Sequence, residues 1–505
     1  MTDAVATARP AEPPPLSGPA LVLAGLVLAV ANFLVVLDTT IANVAVPHIA
    51  GGLAVSPTQG TWVITSYAVA EAISVPLTGF LASRFGIVKT FVVAMLGFGF
   101  FSFMCGFAPT LGLLCASRVM QGLFGGPMMP LSQTLLLKIF PPKQQPAAIG
   151  LWSMTTLVAP IVGPILGGVL CDNVGWPFIF YINVPIAVVC AFFGWRMLKS
   201  RETPAVKTRI DGVGLGLLVV WVGALQIMLD EGKNLDWFNS TEIVLLAIVA
   251  VIGFAAFLIW ELTEKNPVVD LRVFRHRGYT VGVFTLCVAF AGMFGSLVLT
   301  PLWLQSYMGY TATWSGYSTA MMGVLAVFMA PVAAQLAAKF DPRRLVFLGV
   351  MWLGAMAFVR GHSTSDMDFW QISLPLLFMG IGMPFFFVPL MGLALASVEP
   401  HETAGASGLL NFARTLTGAM AASVVTTAWE NGATASRAQM VGELHPEALP
   451  AGVGAPMLDQ LVQSQAVVLS TNQIFLVVGL LFAVAAAVVW LAPKPGRAAD
   501  LSGAH

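Results

Sequence analysis

The chain has 505 residues, 57% of them hydrophobic and only 10% charged, with 24 basic and 24 acidic side chains and a formal net charge of zero. Soluble domains carry roughly 25% charged residues, so this composition, with a mean hydropathy of +0.85, excludes an ordinary soluble protein and points to a polytopic membrane protein. The zero net charge argues against a nucleic-acid partner, and the five scattered cysteines (105, 115, 171, 190 and 287) show no metal spacing and no disulfide framework.

Residues 1–18, with Pro10, Pro13, Pro14 and Pro15 and a single basic residue, Arg9, read as a disordered tail without the features of a signal peptide. Fourteen apolar spans follow, near 21–46, 59–81, 87–108, 111–139, 146–170, 177–199, 212–230, 241–261, 280–307, 314–339, 343–360, 369–396, 402–429 and 470–492. About 20 apolar residues cross a bilayer as a helix, so the expected fold is all-α with fourteen transmembrane helices. The longest stretch outside the spans, 430–469, reads as a solvated outward loop.

Charge placement gives an orientation. If the N-terminus is cytoplasmic, 19 of the 24 Lys and Arg fall in cytoplasmic loops and tails, and only Lys233, Arg360 and Arg437 fall on the opposite side. This is the positive-inside asymmetry, and it puts both termini in the cytoplasm. An internal repeat supports the register. Residues 76–85, with Lys89 beyond them, correspond to 331–340, with Arg344 beyond them, at a constant offset of 255. Same-orientation repeats imply two bundles related about the membrane normal, with a site between them near the midplane. The expected division is an N-terminal six-helix bundle (19–199), a linker with two added helices (200–279), a C-terminal six-helix bundle (280–492) and a cytoplasmic tail (493–505).

Ionisable residues inside spans are costly, roughly 2.5–3.5 kcal/mol each on insertion scales, and ask for a purpose. Asp38 lies in the first span and Arg118, in Arg118-Val-Met-Gln-Gly122, in the fourth; at about 1.5 Å per residue they reach similar depth. They form either a proton-coupling pair or a purely structural ion pair. Glu71 in the second span and Asn411 and Arg414 in the thirteenth serve either chemistry or helix contact. Met128, Met129, Met321, Met322 and Phe385–Phe387 either line a promiscuous pocket or pack. In the fifth span, Ala159-Pro-Ile-Val-Gly-Pro-Ile-Leu-Gly-Gly168 carries Pro160 and Pro164 on one face and a small-xxx-small surface at Gly163 and Gly167. Between spans two and three, Gly79, Arg84, Gly86 and Lys89 mark a tight basic turn. No phosphate-binding loop, HExxH or GxSxG pattern occurs, which disfavours an ATP-driven pump or a hydrolase.

These motifs together resemble the major facilitator superfamily, and within it the fourteen-helix drug:proton antiporters. Leu37-Asp38-Thr39-Thr40-Ile41-Ala42-Asn43-Val44-Ala45-Val46-Pro47 is similar to their first-span motif. Gly79 to Lys89 is similar to the loop motif, Arg118 to Gly122 to RxxQG, Ala159 to Gly168 to the antiporter motif, and Trp176 to Pro185 to WxxIFxxNxP. Residues 59–66, 131–135 and Gln226-Ile-Met-Leu-Asp230 resemble the EmrB-type multidrug exporters. The resemblance implies proton coupling at Asp38, Arg118 and Glu71, and a substrate cavity or gate that includes Asn43, Gln121, Gly163, Pro164, Gly167, Asn411 and Arg414. It implies no enzyme activity and no cofactor beyond the proton gradient. It also implies amphipathic substrates, a lipid environment in the bacterial inner membrane, a periplasmic membrane-fusion adaptor and an outer-membrane channel. Two departures stand out: Ser83 replaces the loop motif's Asp, and Ala159 the antiporter motif's first Gly. A dedicated metabolite symporter and a non-transporting receptor remain the alternatives.

Overall fold

The computed structural model of the chain describes residues 16–141, 144–205, 211–232, 234–265, 267–337, 339–399, 402–443 and 455–494, and among these residues all regular structure is helical. Most of the expected N-terminal tail and nearly all of the C-terminal tail lie outside the described residues. The chain runs through α1 (Gly18–Gly52), α2 (Pro57–Gly60), α3 (Trp62–Ser74), α4 (Thr78–Phe85), α5 (Ile87–Phe107), α6 (Leu111–Gly125), α7 (Met128–Ile139), α8 (Gln145–Asn173), α9 (Phe178–Tyr181) and α10 (Asn183–Leu198). It continues through α11 (Gly212–Glu231), α12 (Thr241–Thr263), α13 (Arg277–Ser306), α14 (Ala312–Ala337), α15 (Pro342–Arg360), α16 (Phe369–Leu395), α17 (Thr403–Glu443) and α18 (Ala455–Val488).

Ten helices among the described residues are long and apolar enough to cross a membrane, and α2–α4 form an eleventh span with a bend of 57°. The bend follows Pro76, which has no N–H to continue the ladder. The other expected spans fall on the pair α6 and α7, divided at Gly126-Pro127, and on α8 and α17. The helices observed are thus compatible with fourteen crossings. Large apolar side chains such as Val93, Phe100, Phe107, Val251, Ile252 and Ile259 face outward, on a scale that requires lipid rather than water around the helices.

Packing divides the helices. In a first bundle, α1 lies on α7, α8 and α10, α3 on α6, and α5 on α6 and α10; in a second, α13 lies on α16, α17 and α18, α14 and α15 on α16, and α17 on α18. The bundles meet along two seams, α8 against α14 and α3 against α17. The added hairpin α11–α12 packs through α11 on α3 and α17, over the second seam.

The first seam is built on missing side chains. A Cβ at Gly316 would lie 2.2 Å from the carbonyl oxygen of Pro164, and one at Gly168 2.4 Å from that of Ala312. Backbones therefore touch there, as small residues allow. The other face of α8 meets α1, where a Cβ on Gly163 would lie 2.1 Å from Thr40 Oγ1.

The basic turn before α5 owes its shape to Gly86, whose φ of +93° is unfavourable for any side chain. Glu202, beyond α10, accepts hydrogen bonds from the backbone N–H groups of Val88 and Lys89, both at 2.9 Å, and so caps α5. In the repeated copy Asp341 caps α15 from its own chain position, accepting from the Arg343 N–H at 3.0 Å. The carboxylate absent at Ser83 is thus not replaced in place: Ser83 donates to the Phe80 carbonyl at 2.9 Å.

One expectation is corrected. Within the stretch 430–469, residues 430–443 and 455–469 are helix rather than loop, because α17 continues to Glu443 and α18 begins at Ala455. Its polar residues mark solvated helix faces rather than irregular chain, and alanines such as Ala433, Ala435 and Ala438 favour helix. Arg437 and Asp459 join the two extensions at 2.5 Å; residues 444–454 lie outside the described residues.

Candidate functional site

Asp38 sits midway along α1, fully buried. The two threonines after it turn back on their own helix, Thr39 Oγ1 donating to Val36 O at 2.8 Å and Thr40 Oγ1 to Val36 O at 2.9 Å, which satisfies their hydroxyls without water. Three donors converge on the carboxylate from two other helices, α6 and α10. Arg118 Nη1 reaches Oδ2 at 2.5 Å, while Gln121 Nε2 and Asn183 Nδ2 reach Oδ1 at 3.0 and 2.7 Å. Arg118 and Gln121 are three apart on α6 and so share a face. A Cβ on Gly122 would lie 2.4 Å from the Tyr67 carbonyl oxygen, so this glycine is what lets α6 come close enough to α3 to deliver them.

Arg118 makes further contacts of its own. Its Nε donates to Val63 O at 2.9 Å, Nη1 also donates to Gln121 Oε1 at 2.8 Å, and its guanidinium lies 4.2 Å from the centre of the Tyr67 ring. Asn183 Nδ2 also donates to Ser102 Oγ at 3.1 Å, and Ser102 Oγ to Phe180 O at 2.8 Å. A buried ion pair is tolerable only with such additional hydrogen bonds. An ionised carboxylate is acceptor-only, and every partner of Asp38 is a donor. Oδ1 already accepts two hydrogen bonds, so a proton there must displace a donor, and a proton on either oxygen removes the charge that balances the Arg118 guanidinium.

Beside this network lies a cavity of about 200 Å³ shared by both bundles. From the first bundle it is lined by Val36, Thr39, Thr40, Tyr67, Glu71, Arg118, Met129 and Pro160, and from the second by Phe290, Met293, Met322, Met383, Phe387 and Arg414. Arg118 therefore belongs both to the Asp38 network and to the cavity wall. Glu71 is buried and its carboxyl makes no hydrogen bond among the described residues. Arg414 stands between Phe290 and Phe387, its guanidinium 5.8 and 5.7 Å from their ring centres, and its charge acts on Glu71 across the cavity.

The other expected site residues separate from these. Asn43 is buried with neither side-chain atom hydrogen-bonded, and it does not line the cavity. Asn411 donates to Ser407 O of its own helix at 3.0 Å. Gly163, Pro164 and Gly167 serve the contacts of α8 with α1 and α14 rather than the cavity. Gly79 and Arg84 lie in α4, Gly86 at the turn between the two helices and Lys89 in the first turn of α5, away from the cavity. Met128, Met321 and Phe385 also lie outside the cavity wall, whereas Met129, Met322 and Phe387 line it.

Three contacts were missed by sequence reasoning. Asn183 stands in a quoted motif but was not placed beside Asp38; a lone amide opening an apolar span is the signal. Asp172, at the end of α8, accepts hydrogen bonds from the Ala312 and Thr313 N–H groups at 3.2 and 2.7 Å, capping α14 of the opposite bundle. Gln305 of α13 donates to Val44 O of α1 at 2.9 Å. These bundle-to-bundle ties gather with the glycine seam at one end of the molecule.

Residues 28–422 match the sequence profile of the Major Facilitator Superfamily. The chain is 43% identical to the multidrug export protein EmrB of Escherichia coli strain K12, covering 97% of this chain and 99% of that protein. It is also 43% identical to the fatty acid resistance protein FarB of Neisseria gonorrhoeae, over 95% of this chain and 98% of that one. Among solved structures it is similar in fold to a bacterial homologue of the human lysosomal transporter Spinster in an inward-facing, unoccupied conformation, with a TM-score of 0.66 and 15% identity over 94% of this chain and 98% of that one. A D-xylose–proton symporter matches with a TM-score of 0.63 and 13% identity, over 94% and 98%. On this combination of full-length identity and helical architecture, the chain belongs to the Major Facilitator Superfamily, groups there with the EmrB-type proteins, and is a multi-pass membrane transporter rather than an enzyme.

Proposed function

We propose that the protein exports amphipathic compounds in exchange for protons across the bacterial inner membrane, with both termini cytoplasmic. In this scheme Asp38 takes the driving proton and Arg118 carries its effect to the substrate cavity. The observation that carries the proposal is the double membership of Arg118, which pairs with Asp38 at 2.5 Å and also lines the cavity. Protonating Asp38 removes the charge that holds Arg118 and places a hydrogen among donors. Proton and substrate then bias one two-state equilibrium through one side chain.

Export rather than uptake is supported by what the relatives are named for, multidrug export and fatty acid resistance. The positive-inside asymmetry supports the orientation. With that orientation the tied ends of the bundles are periplasmic and the cavity is offered to the cytoplasm, the state in which an exporter collects its cargo. Arg414 and Glu71 give the cavity one cationic and one acidic anchor between aromatic and methionine walls, a lining suited to varied amphipaths. Arg414 makes no hydrogen bond among the described residues, so it is available to an acidic head group.

The helical extensions of α17 and α18 stand on the periplasmic side in this orientation and offer a surface to a membrane-fusion adaptor, which would link the transporter to an outer-membrane channel. A susceptibility panel of acidic, neutral and cationic amphipaths, in cells with and without the gene, tests the proposal. Protection across several chemical types is expected. Protection against none, with proton-driven uptake of one metabolite, would overturn it.

A further inference from the structure

The added hairpin α11–α12 belongs to neither bundle, yet one of its carboxylates reaches both. Asp230, one residue from the end of α11, accepts a hydrogen bond on Oδ2 from Thr65 Oγ1 of α3 at 2.9 Å. On Oδ1 it accepts from Ser423 Oγ of α17 and, at 2.9 Å, from Gln226 Nε2 of its own helix. Gln226 Nε2 donates to Ser423 Oγ as well, at 2.6 Å. The first bundle, the second bundle and the accessory helix therefore meet at a single carboxyl group lying over the α3–α17 seam.

We propose that Asp230 is a proton-operated clamp through which the accessory hairpin holds the second seam closed, so that these two helices work as part of the gate. The seam α8–α14 is sealed by backbone contact and by Asp172 capping α14; α3–α17 receives its tie from the accessory helix instead. An ionised carboxylate accepts from all three donors at once. Oδ1 already accepts two hydrogen bonds, so a proton there must displace Ser423 or Gln226 or turn the Gln226 amide over, and a proton on Oδ2 removes the charge that holds the Thr65 hydroxyl. In either case a link between α3 and α17 is weakened.

The titratable groups that face Asp230 are Glu231, next to it on α11, and the thiol of Cys115 on α6. α3 and α17 bring it hydroxyls only. No lysine or arginine pairs with it among the described residues, so neutral donors hold its charge and a proton can compete with them. Asp38, by contrast, is held by a guanidinium.

The clamp rests on the transporter orientation proposed above, but its test needs neither substrate nor proton flux, so it stands or falls apart from Asp38. Spin labels on full-length protein in lipid nanodiscs, at Gly112→Cys and Thr364→Cys in a background without the native cysteines, report the distance between the outer ends of the two bundles; both positions are exposed. In the parent, acid should raise the long-distance population. Asp230→Asn, which keeps the shape but adds donors, should raise that population roughly threefold in alkaline buffer, and Asp230→Glu should restore the pH response. Thr65→Val and Ser423→Ala should each shift it in the same direction by less. Parent-like distances for Asp230→Asn in both buffers would overturn the clamp, as would a shift in that variant with none in Thr65→Val and Ser423→Ala.

Discussion

In the proposed scheme the role of Asp38 comes down to matching donors with acceptors. Three donors meet one carboxylate, and a proton is the smallest change that loosens the network. Removing the cation instead should be severe, because a buried charge left without its partner costs about 3–5 kcal/mol. Arg118→Ala is expected to lower the melting temperature of the purified transporter and to abolish export, whereas Gln121→Ala, which leaves the ion pair, should keep measurable export. Equal and mild effects of both would mean that the ion pair is incidental. Glu71 and Arg414 are argued at the same scale. Glu71 has no hydrogen bond to a neighbouring helix, which removes the main structural reason for an acid there and supports a role toward cargo. Glu71→Gln should weaken export of a cationic amphipath and spare a neutral one; Arg414→Ala should weaken export of an acidic one. Parallel transport of the three compounds checks both, and unchanged selectivity would return Glu71 to a structural role.

Among the elements, α8 illustrates how much of the molecule could be read in advance. Its Pro and Gly pattern announced close packing, and the glycines do bring backbones together on two sides, against α1 and α14. What the pattern did not reveal was the partner across the seam, because Gly316 and the α14 N-terminus lie some 150 residues away and carry no matching signal. Apolar runs located the spans because lipid demands length and hydrophobicity, and Asp38 and Arg118 were paired by depth alone. Asp172 and Gln305 give no signal, and Asp230 only a place in a motif, because a carboxylate or amide near a helix end looks like an ordinary solvated residue until the other bundle is placed. The opposite error occurs at 430–443 and 455–469, where polarity reads as a loop although helix ends outside the membrane are polar too. The seam yields a prediction of its own. Gly316→Val places carbon against the Pro164 carbonyl, and overpacking of this kind costs on the order of 1–3 kcal/mol. Because the cost falls only on the closed seam, the long-distance population of the exposed Gly112→Cys/Thr364→Cys label pair should rise in this variant; an unchanged distance distribution would mean that the seam does not close against α14 in the membrane.

For the whole molecule, the proposed scheme divides the work of binding, gating and docking among the two bundles, the accessory hairpin and the paired extensions of α17 and α18. Excising the extensions within residues 436–459 removes the Arg437–Asp459 contact but touches neither seam nor cavity. Cellular resistance should be lost while transport in vesicles survives; equal loss in both would mean that the extensions support the transporter itself rather than an adaptor. The central claim is that a proton on Asp38 drives export, and it is tested most directly by substrate-induced proton flux in liposomes containing Asp38→Asn. The amide preserves the shape and cannot titrate. The account predicts no substrate-coupled proton movement and no uphill export, with downhill exchange of substrate retained. Uphill export with wild-type proton flux in that variant would contradict it.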